Sequence, residues 1–241
     1  MLKLLEKSGY EVVQEVSELQ NSAGFVALKA GKLHYIKASR GNDQHFSYER
    51  NFVSRGFVSE KLLYPIEVAA EYIVYPYIDQ DYLGFANSLS TGSYLKLLAK
   101  IADGLAALHD AGFLHGDIKA QNILISSGDP LICDFGTLRD LKCSNVRILN
   151  SISNHQPVDR EWSAALDIYG LGVLLFQHFY GLDFIADYVF QKFVFPASRI
   201  SLDGNEEAIQ NLIRMSTSVA SEKRCSISQF IQAVEEISAN L

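Results

Sequence analysis

Cysteine, proline and long apolar runs are scarce in this chain of 241 residues. The three cysteines, Cys133, Cys143 and Cys225, are odd in number and have no partner at metal-ligand spacing. This argues against both a disulfide framework and a paired-ligand zinc site. Only 5 residues are proline, and no Pro-rich linker or low-complexity tract divides the chain. The scarcity of cysteine pairs favours a reducing compartment, so the sequence predicts a cytoplasmic protein.

A basic surface and a membrane-spanning segment are also lacking. The chain has 21 Lys and Arg against 28 Asp and Glu, a formal net charge of -7, so we predict no nucleic-acid partner. The most apolar stretch, residues 168–176, is too short to cross a bilayer. Charged residues interrupt the apolar ones in residues 1–13, which therefore contain no secretory signal. The sequence thus predicts no membrane partner, although delivery elsewhere by another route stays open.

The hydrophobic residues, 48% of the chain, suffice for a full core, and their spacing changes along the sequence. Runs rich in Val, Ile, Tyr and Phe predict strands at 11–16, 25–29, 33–38 and 71–78, with one helix at 45–53 capped by Asp43. Three- and four-residue spacing then predicts helices at 93–111, 163–181, 206–215 and 226–238. We therefore predict a two-lobed α+β fold in a single domain. Its small β-rich lobe (1–78) has one helix and is joined at 76–81 to a larger, mostly helical lobe (82–241).

Two motifs follow each other in the second lobe. Residues 114–125 read Leu-His-Gly-Asp-Ile-Lys-Ala-Gln-Asn-Ile-Leu-Ile, and residues 131–136 read Leu-Ile-Cys-Asp-Phe-Gly. Through them the chain resembles the protein kinase superfamily, whose catalytic loop has the form H-x-D-x-K-x-x-N and whose metal-binding loop is D-F-G. Either motif alone is a common turn or a chance tripeptide. Together, in this order and each beside an apolar run, they predict a kinase-like fold and phosphoryl transfer from ATP.

The resemblance implies a role for each polar residue of the two motifs. Asp117 would accept the proton of the attacking hydroxyl, and Lys119 would neutralise the phosphoryl group as it transfers. Asn122 and Asp134 would hold Mg²⁺, which prefers carboxylate and carbonyl oxygens and bridges the phosphates of ATP. A lysine at position 119 is the choice of serine/threonine kinases. The implied cofactors are therefore ATP and Mg²⁺, and the implied partner is a protein substrate.

The same resemblance implies that the first lobe binds the nucleotide. Lys37 stands where the family has the lysine that grips the α- and β-phosphates, and Glu49 stands where it has the helix glutamate that pairs with this lysine. Tyr75 would be the gatekeeper beside the adenine, and the N–H of Ile78 would read it from the hinge. Leu124 would form the floor under the purine.

The phosphate-binding loop departs from the family pattern. A G-x-G-x-x-G-x-V pattern matches only Gly24 and Val26, which we assign to the cofactor site, while Leu19 and Asn21 replace the first two glycines. Those glycines let backbone N–H groups approach a phosphate closely. Tyr35 also replaces a small alanine beside the adenine. These departures favour a second hypothesis, in which the chain is a pseudokinase or an interaction scaffold.

Other positions bear on regulation and support. Gly116 replaces the arginine that normally pairs with a phosphorylated activation loop, so we predict activity without phosphorylation of residues 137–156. Asp167 matches a central-helix aspartate that holds the catalytic-loop backbone, and Arg224 matches a late arginine that anchors the segment after the activation loop. Glu161 lies late for the family's A-P-E triplet, which leaves the partner of Arg224 open.

A third hypothesis is a small-molecule kinase with the same phosphate chemistry. Such enzymes usually lack the lysine found here at position 119 and build a deep acidic acceptor pocket from a helical insert, which this sequence does not show. Their chemistry at the phosphates is otherwise shared. The sequence therefore favours a protein acceptor, and it does not indicate an oligomeric state.

Overall fold

The longest strands of this protein lie in its first third and its long helices in the remainder, as a computed structural model shows. The structure describes residues 1–18, 22–39, 41, 43–141, 162–181, 195–218 and 220–241. This distribution confirms the predicted two-lobed α+β fold. Within the described residues, no helix combines the length and the apolar character needed to cross a membrane.

Five strands of the first lobe form one antiparallel sheet. They are β1 (Glu11–Glu18), β2 (Ser22–Lys29), β3 (Lys32–Ser39), β4 (Glu67–Val68) and β5 (Tyr72–Pro76), in the spatial order β1-β2-β3-β5-β4. Because side chains alternate along a strand, the sheet has two different faces. Phe25 and Ile36 belong to the buried core of one face. Tyr35 and Lys37 point from the other face into a cleft between the lobes.

Two helices accompany this sheet, which corrects the prediction of one. Helix α1 (Leu2–Lys7) is too short for a periodic signal, yet its Leu5 is fully buried against the sheet core. Helix α2 (Gln44–Val53) is the predicted helix. Asp43 caps it as expected, because its carboxylate accepts a hydrogen bond from the His45 backbone N–H at 2.9 Å.

The second lobe is built mainly on long helices. Its elements are β6 (Gln80–Asp81), α3 (Tyr82–Ala86), α4 (Thr91–Asp110), β7 (Phe113–Leu114), β8 (Ile123–Ser126), β9 (Asp129–Ile132), β10 (Arg139–Asp140), α5 (Ala165–Tyr180), α6 (Glu206–Ser216) and α7 (Ile227–Ala239). Four of these helices, α4 to α7, confirm the predicted ones. Helix α5 is buried from Leu166 to Tyr180, as its apolar composition requires. β6, α3 and β10 were not predicted, because elements of two to five residues carry little signal in the sequence.

Short strand pairs bring the two motifs side by side. β8 pairs antiparallel with β9, which places Ile123 opposite Ile132. The loop of the first motif, residues 115–122, ends where β8 begins, and Cys133 and the Asp-Phe-Gly loop follow β9. β7 pairs with β10, so Phe113 and Leu114, just before the first loop, lie opposite Asp140 and Arg139, just after the second. Polar side chains from both loops therefore reach the same end of the cleft.

Candidate active site

Lys37 meets two carboxylates in the cleft. Its Nζ donates hydrogen bonds to Glu49 Oε2 at 2.5 Å and to Asp134 Oδ1 at 2.7 Å. β3 supplies the lysine, α2 supplies the glutamate and the turn after β9 supplies the aspartate. Burial by itself lowers the pKa of Lys37, but the charges of the two carboxylates outweigh burial and raise it above its ordinary value. The side chain is therefore a fixed cation at neutral pH.

Glu49 is buried, with 1% of its surface exposed. Its second oxygen, Oε1, accepts a hydrogen bond from the Tyr75 hydroxyl at 2.6 Å. Burial, reinforced by the negative charge of Glu49, raises the pKa of Tyr75 well above its ordinary value, so the hydroxyl stays protonated and donates. A buried carboxylate is tolerated only when its oxygens are hydrogen-bonded. Lys37 and Tyr75 together meet this condition, and the sequence does not predict the tyrosine's part in it.

Asp134 is the open carboxylate of the cleft. Its side chain is 47% exposed, and its backbone is left-handed at φ 64°, a conformation that Asp and Asn adopt more readily than most residues. Burial raises the pKa of Asp134, but the charge and hydrogen bond of Lys37 lower it further, to a net value below that of an ordinary aspartate. The carboxylate is therefore ionised at neutral pH and accessible to a ligand.

Asp117 and Asn122 are held face to face in the first motif. Asn122 Nδ2 donates to the backbone oxygen of Asp117 at 2.7 Å and to its Oδ2 at 3.0 Å. Lys119 Nζ donates to the same Oδ2 at 2.5 Å. These bonds fix the amide of Asn122 and leave its carbonyl oxygen without a hydrogen bond from any described residue. That oxygen is thus available to a cation.

His115 connects the two motif loops. Its buried ring accepts a hydrogen bond from the Asp117 backbone N–H on Nδ1 at 3.3 Å, and its Nε2 lies 3.0 Å from the Cys133 carbonyl oxygen. The two contacts together require the neutral tautomer protonated on Nε2, which donates to Cys133. The ring also packs edge-on against Phe135, with the two ring centroids 5.8 Å apart. His115 therefore links the catalytic loop to the strand that leads into Asp134.

Asp167 supports the catalytic loop from α5. Its buried carboxylate accepts hydrogen bonds from the backbone N–H groups of Gly116 at 2.7 Å and His115 at 2.9 Å, and from His109 Nε2 at 2.8 Å. Burial raises the pKa of Asp167, but the hydrogen bond and charge of His109 help to lower it, and the net value is below an ordinary aspartate. These contacts confirm the expected structural role. His109 is a partner that no motif indicates.

A cavity of about 270 Å³ opens beside these groups, between the sheet and the catalytic loop. Seven of the predicted site residues line it: Lys37, Glu49, Tyr75, Ile78, Asn122, Leu124 and Asp134. Asp117 and Lys119 do not line it. Cys133 does, and its place directly before the Asp-Phe-Gly motif is a signal that sequence reasoning missed.

The predicted phosphate-loop residues lie near the cavity without lining it. The register places Gly24 opposite Lys37 and Val26 opposite Tyr35, on the face of the sheet that turns to the cleft. Ser22 and Ala23 form the edge of the cavity instead, and Tyr35 also lines it. The substituted loop positions, Leu19 and Asn21, lie outside the described residues, so the role assigned to Gly24 and Val26 stays a prediction.

Arg224 anchors the start of α5. Its Nη1 donates to the backbone oxygen of Ala165 at 3.0 Å, and its Nε donates to that of Ser218 at 2.8 Å. The guanidinium also lies 5.1 Å from the ring of Tyr169. Glu161 and residues 142–156 of the predicted activation segment lie outside the described residues.

The donor set fits Mg²⁺ when a nucleotide binds with it. Asn122 and Asp134 offer an amide oxygen and an exposed carboxylate, which are the oxygen donors that this cation prefers. Among the described residues there is no cluster of three or more His, Cys, Asp or Glu that would hold a metal alone. Protein sites commonly hold Mg²⁺ through one or two side chains, with phosphates and water completing the coordination. The residues therefore fit a metal that arrives with a polyphosphate.

Comparison with known proteins extends over most of the chain. The family model for the protein kinase domain matches residues 20–234. The chain is 30% identical over 121 residues to cyclin-dependent kinase 12 of Caenorhabditis elegans, covering 45% of this chain and 17% of that protein. It is 36% identical over 89 residues to serine/threonine-protein kinase PknL of Mycobacterium tuberculosis, covering 34% of this chain and 22% of that protein. It is 30% identical over 132 residues to the CTD kinase subunit alpha of Schizosaccharomyces pombe, covering 49% of this chain and 22% of that protein. The chain therefore spans less than a quarter of each of these relatives.

Proposed function

Because the chain belongs to the protein kinase family, we propose that it transfers the γ-phosphate of ATP, together with Mg²⁺, to a serine or threonine hydroxyl of a protein. The observation that carries this proposal is the meeting of three charged residues in one cleft. Lys37 lies 2.5 Å from Glu49 and 2.7 Å from Asp134. A strand lysine paired with the helix glutamate, and an aspartate in place for the metal, are the two conditions for catalysis in this family.

The nucleotide occupies the cavity between the lobes in this proposal. Leu124 and Tyr75 bound the adenine, and the backbone N–H of Ile78 donates to it, since all three residues line the cavity. Lys37 neutralises the α- and β-phosphates from the strand side, with Gly24 and Val26 above them. The cation at Lys37 is already fixed by two carboxylates, so little reorganisation is needed when phosphates bind.

The reaction then needs one base and one cation beside the acceptor. Asp117 orients the attacking hydroxyl and accepts its proton as the new O–P bond forms and the bond to ADP breaks. Lys119 lies 2.5 Å from Asp117 and neutralises the charge of the transferring phosphoryl group. Asn122 and Asp134 hold the metal. Bound Mg²⁺ supplies charge neutralisation at the phosphates and their alignment.

The acceptor class rests on Lys119 and on the relatives. A lysine that contacts Asp117 two residues away is the arrangement implied for serine/threonine kinases, and the PknL relative is named as one. We propose a protein substrate and a cytoplasmic location, in keeping with the free thiols of Cys133 and Cys225. With a formal net charge of -7, the chain is not proposed to act on nucleic acid.

Radiolabelled ATP tests the proposal directly. The purified chain is incubated with γ-labelled ATP, Mg²⁺ and a generic basic protein, beside the Asp117→Ala variant and the matched control Asp129→Ala, which changes an exposed aspartate paired with Lys100. We expect label on serine or threonine with wild type and the control, and none with Asp117→Ala. Turnover of ATP without labelled protein would favour a small-molecule acceptor. Absence of any turnover would overturn the proposed chemistry.

A binding scaffold is the second candidate, and Tyr35 favours it. The cavity that Tyr35 lines measures about 270 Å³, below the roughly 300–1,000 Å³ typical of ligand pockets. A nucleotide that binds the folded state raises its melting temperature by mass action. Mg-ATP is therefore expected to stabilise wild type, and more strongly the Tyr35→Ala variant, whose cavity is larger. If neither protein is stabilised, the scaffold hypothesis replaces the kinase hypothesis.

A further inference from the structure

Arg139 contacts two aromatic rings from different parts of the chain. Its guanidinium carbon lies 3.8 Å from the ring centroid of Tyr48 and 5.3 Å from that of Trp162. Both distances are within the range of cation–π attraction. Tyr48 belongs to α2 and directly precedes Glu49, whereas Trp162 lies just before α5. The three side chains, which we call the aromatic column, therefore join α2, β10 and the entry to α5.

Gly116 makes room for the end of this column. Its φ is +81°, and a Cβ added there would lie 2.4 Å from Cζ3 of Trp162. A side chain at this position would be strained and would displace the indole. The Gly116 N–H is itself held by Asp167 at 2.7 Å, and the next residue is Asp117. The indole therefore packs directly on the backbone of the catalytic loop.

The column acts through ring faces and not through hydrogen bonds. The Nε1 of Trp162 is buried and has no hydrogen-bond partner among the described residues. Arg139 donates one hydrogen bond, to the Leu138 carbonyl oxygen at 2.8 Å, and forms no ion pair with a carboxylate in the described part of the chain. Leaving an N–H unpaired is unfavourable. The position of the indole therefore depends on its packing against Arg139 and Gly116.

We propose that Trp162 is a positioning residue that keeps α2 and the catalytic loop in their reactive arrangement without a phosphate group. The column is seated on Gly116, beside Asp117, and its far end is adjacent to Glu49, the residue that pairs with Lys37. Loosening either end lets the helix shift relative to the loop. Only the activity readout of this inference rests on the proposed kinase function.

Fluorescence tests the column without any reference to activity. Trp162 is the only tryptophan of the chain, so the emission of the protein reports on this site alone. Arg139→Ala is expected to shift the emission to longer wavelength and to raise quenching by acrylamide, because the indole loses its cover. The matched control is Arg214→Ala, which removes from α6 a guanidinium 4.9 Å from the ring of Phe195. Unchanged emission in Arg139→Ala would overturn the column.

Kinetics then test positioning against a merely structural role. Trp162→Ala is expected to lower kcat on the order of tenfold, with little change in the KM for ATP. Trp162→Phe should restore most of kcat, because the ring face is kept and the indole N–H makes no hydrogen bond. Melting temperatures establish that each variant is folded. If folded Trp162→Ala keeps wild-type kcat, the proposal is wrong. If wild type shows no phosphotransfer, the kinase function fails while the fluorescence result still decides the column.

Discussion

Two aspartates of the second lobe lie in opposite surroundings. Asp167, beneath the catalytic loop, is fully buried, and its oxygens accept hydrogen bonds from two backbone N–H groups and from His109. Asp134, in the cleft, is 47% exposed and has Lys37 as its side-chain partner. Both have a lowered pKa. The direction of the pKa shift therefore does not distinguish a structural aspartate from one in the candidate active site. Exposure to solvent and the number of hydrogen bonds that the carboxylate already accepts do distinguish them.

The largest difference between the two aspartates is expected in the Asp134→Asn variant. We expect phosphotransfer to fall about a thousandfold, because the charge that faces the metal is lost. The free energy of unfolding should change by less than about 1 kcal/mol, since the carboxylate is exposed and asparagine also accepts the left-handed backbone. Activity assays and urea unfolding measure the two effects. Asp129→Asn is the control in an exposed ion pair with Lys100, and retained activity in Asp134→Asn would contradict the assignment.

Asp167→Ala should have the reverse profile. The substitution leaves two buried N–H groups and His109 without their acceptor, so the free energy of unfolding should fall by about 3 kcal/mol. Urea denaturation measures this loss. Asp103→Ala, on the exposed side of α4, is the control and should change stability little. A variant at position 167 with wild-type stability would show that the carboxylate does not hold the loop.

Tyr75→Phe tests a residue that is expected to contribute both to stability and to activity. Without the hydroxyl, Glu49 keeps Lys37 but loses its other hydrogen bond, a loss of about 1 to 2 kcal/mol. We expect lower stability together with lower kcat, because the lysine is held less firmly. Tyr82→Phe removes another buried hydroxyl, one that donates to Tyr94 at 2.9 Å in the helical core. This control should lose stability but keep its activity per folded molecule.

Acid unfolding should report on Asp167, whose pKa is lowered in the folded protein. An aspartate whose pKa is lowered on folding contributes stability above its unfolded pKa of about 3.9, and this contribution is lost as pH falls through the folded pKa. Wild type should therefore lose stability below about pH 4. Asp167→Asn should show a shallower decline over that range in melting temperature against pH. A decline as steep as that of wild type would mean that Asp167 is not the responsible group.

The smallest effect is expected in the predicted activation segment. Changing Ser144, Ser151 and Ser153 together to alanine should alter phosphotransfer by less than about twofold, because Gly116 offers no side chain to pair with a phosphate. Phosphatase-treated wild type should behave in the same way. Thr137 is kept in this variant, since its hydroxyl donates to the His115 carbonyl oxygen at 2.9 Å and its loss would disturb the loop for another reason. Inactivity of the triple variant would show a need for phosphorylation.

Much of the candidate site was predictable because its residues belong to short motifs. Asp117, Asn122 and Asp134 lie in one strand-loop unit whose spacing is characteristic, and Lys37 and Glu49 lie on a neighbouring strand and helix. Helix α1 was not predictable, because six residues give no period to detect. The same holds for His109, which lies at an ordinary position of a long helix and becomes a partner of Asp167 only through helix packing.

By itself the sequence determined the two-lobed fold, the family resemblance and the charged residues of the cleft. It did so because hydrophobic spacing reports burial within one element and motif spacing reports the geometry of one loop. Only the tertiary structure decided which polar groups have hydrogen-bond partners within the protein and which are accessible to a ligand. The Tyr75 hydroxyl on Glu49 and the Trp162 ring on Gly116 join residues far apart in the chain. Such contacts depend on how whole helices and strands pack against each other, and no local sequence pattern encodes that packing.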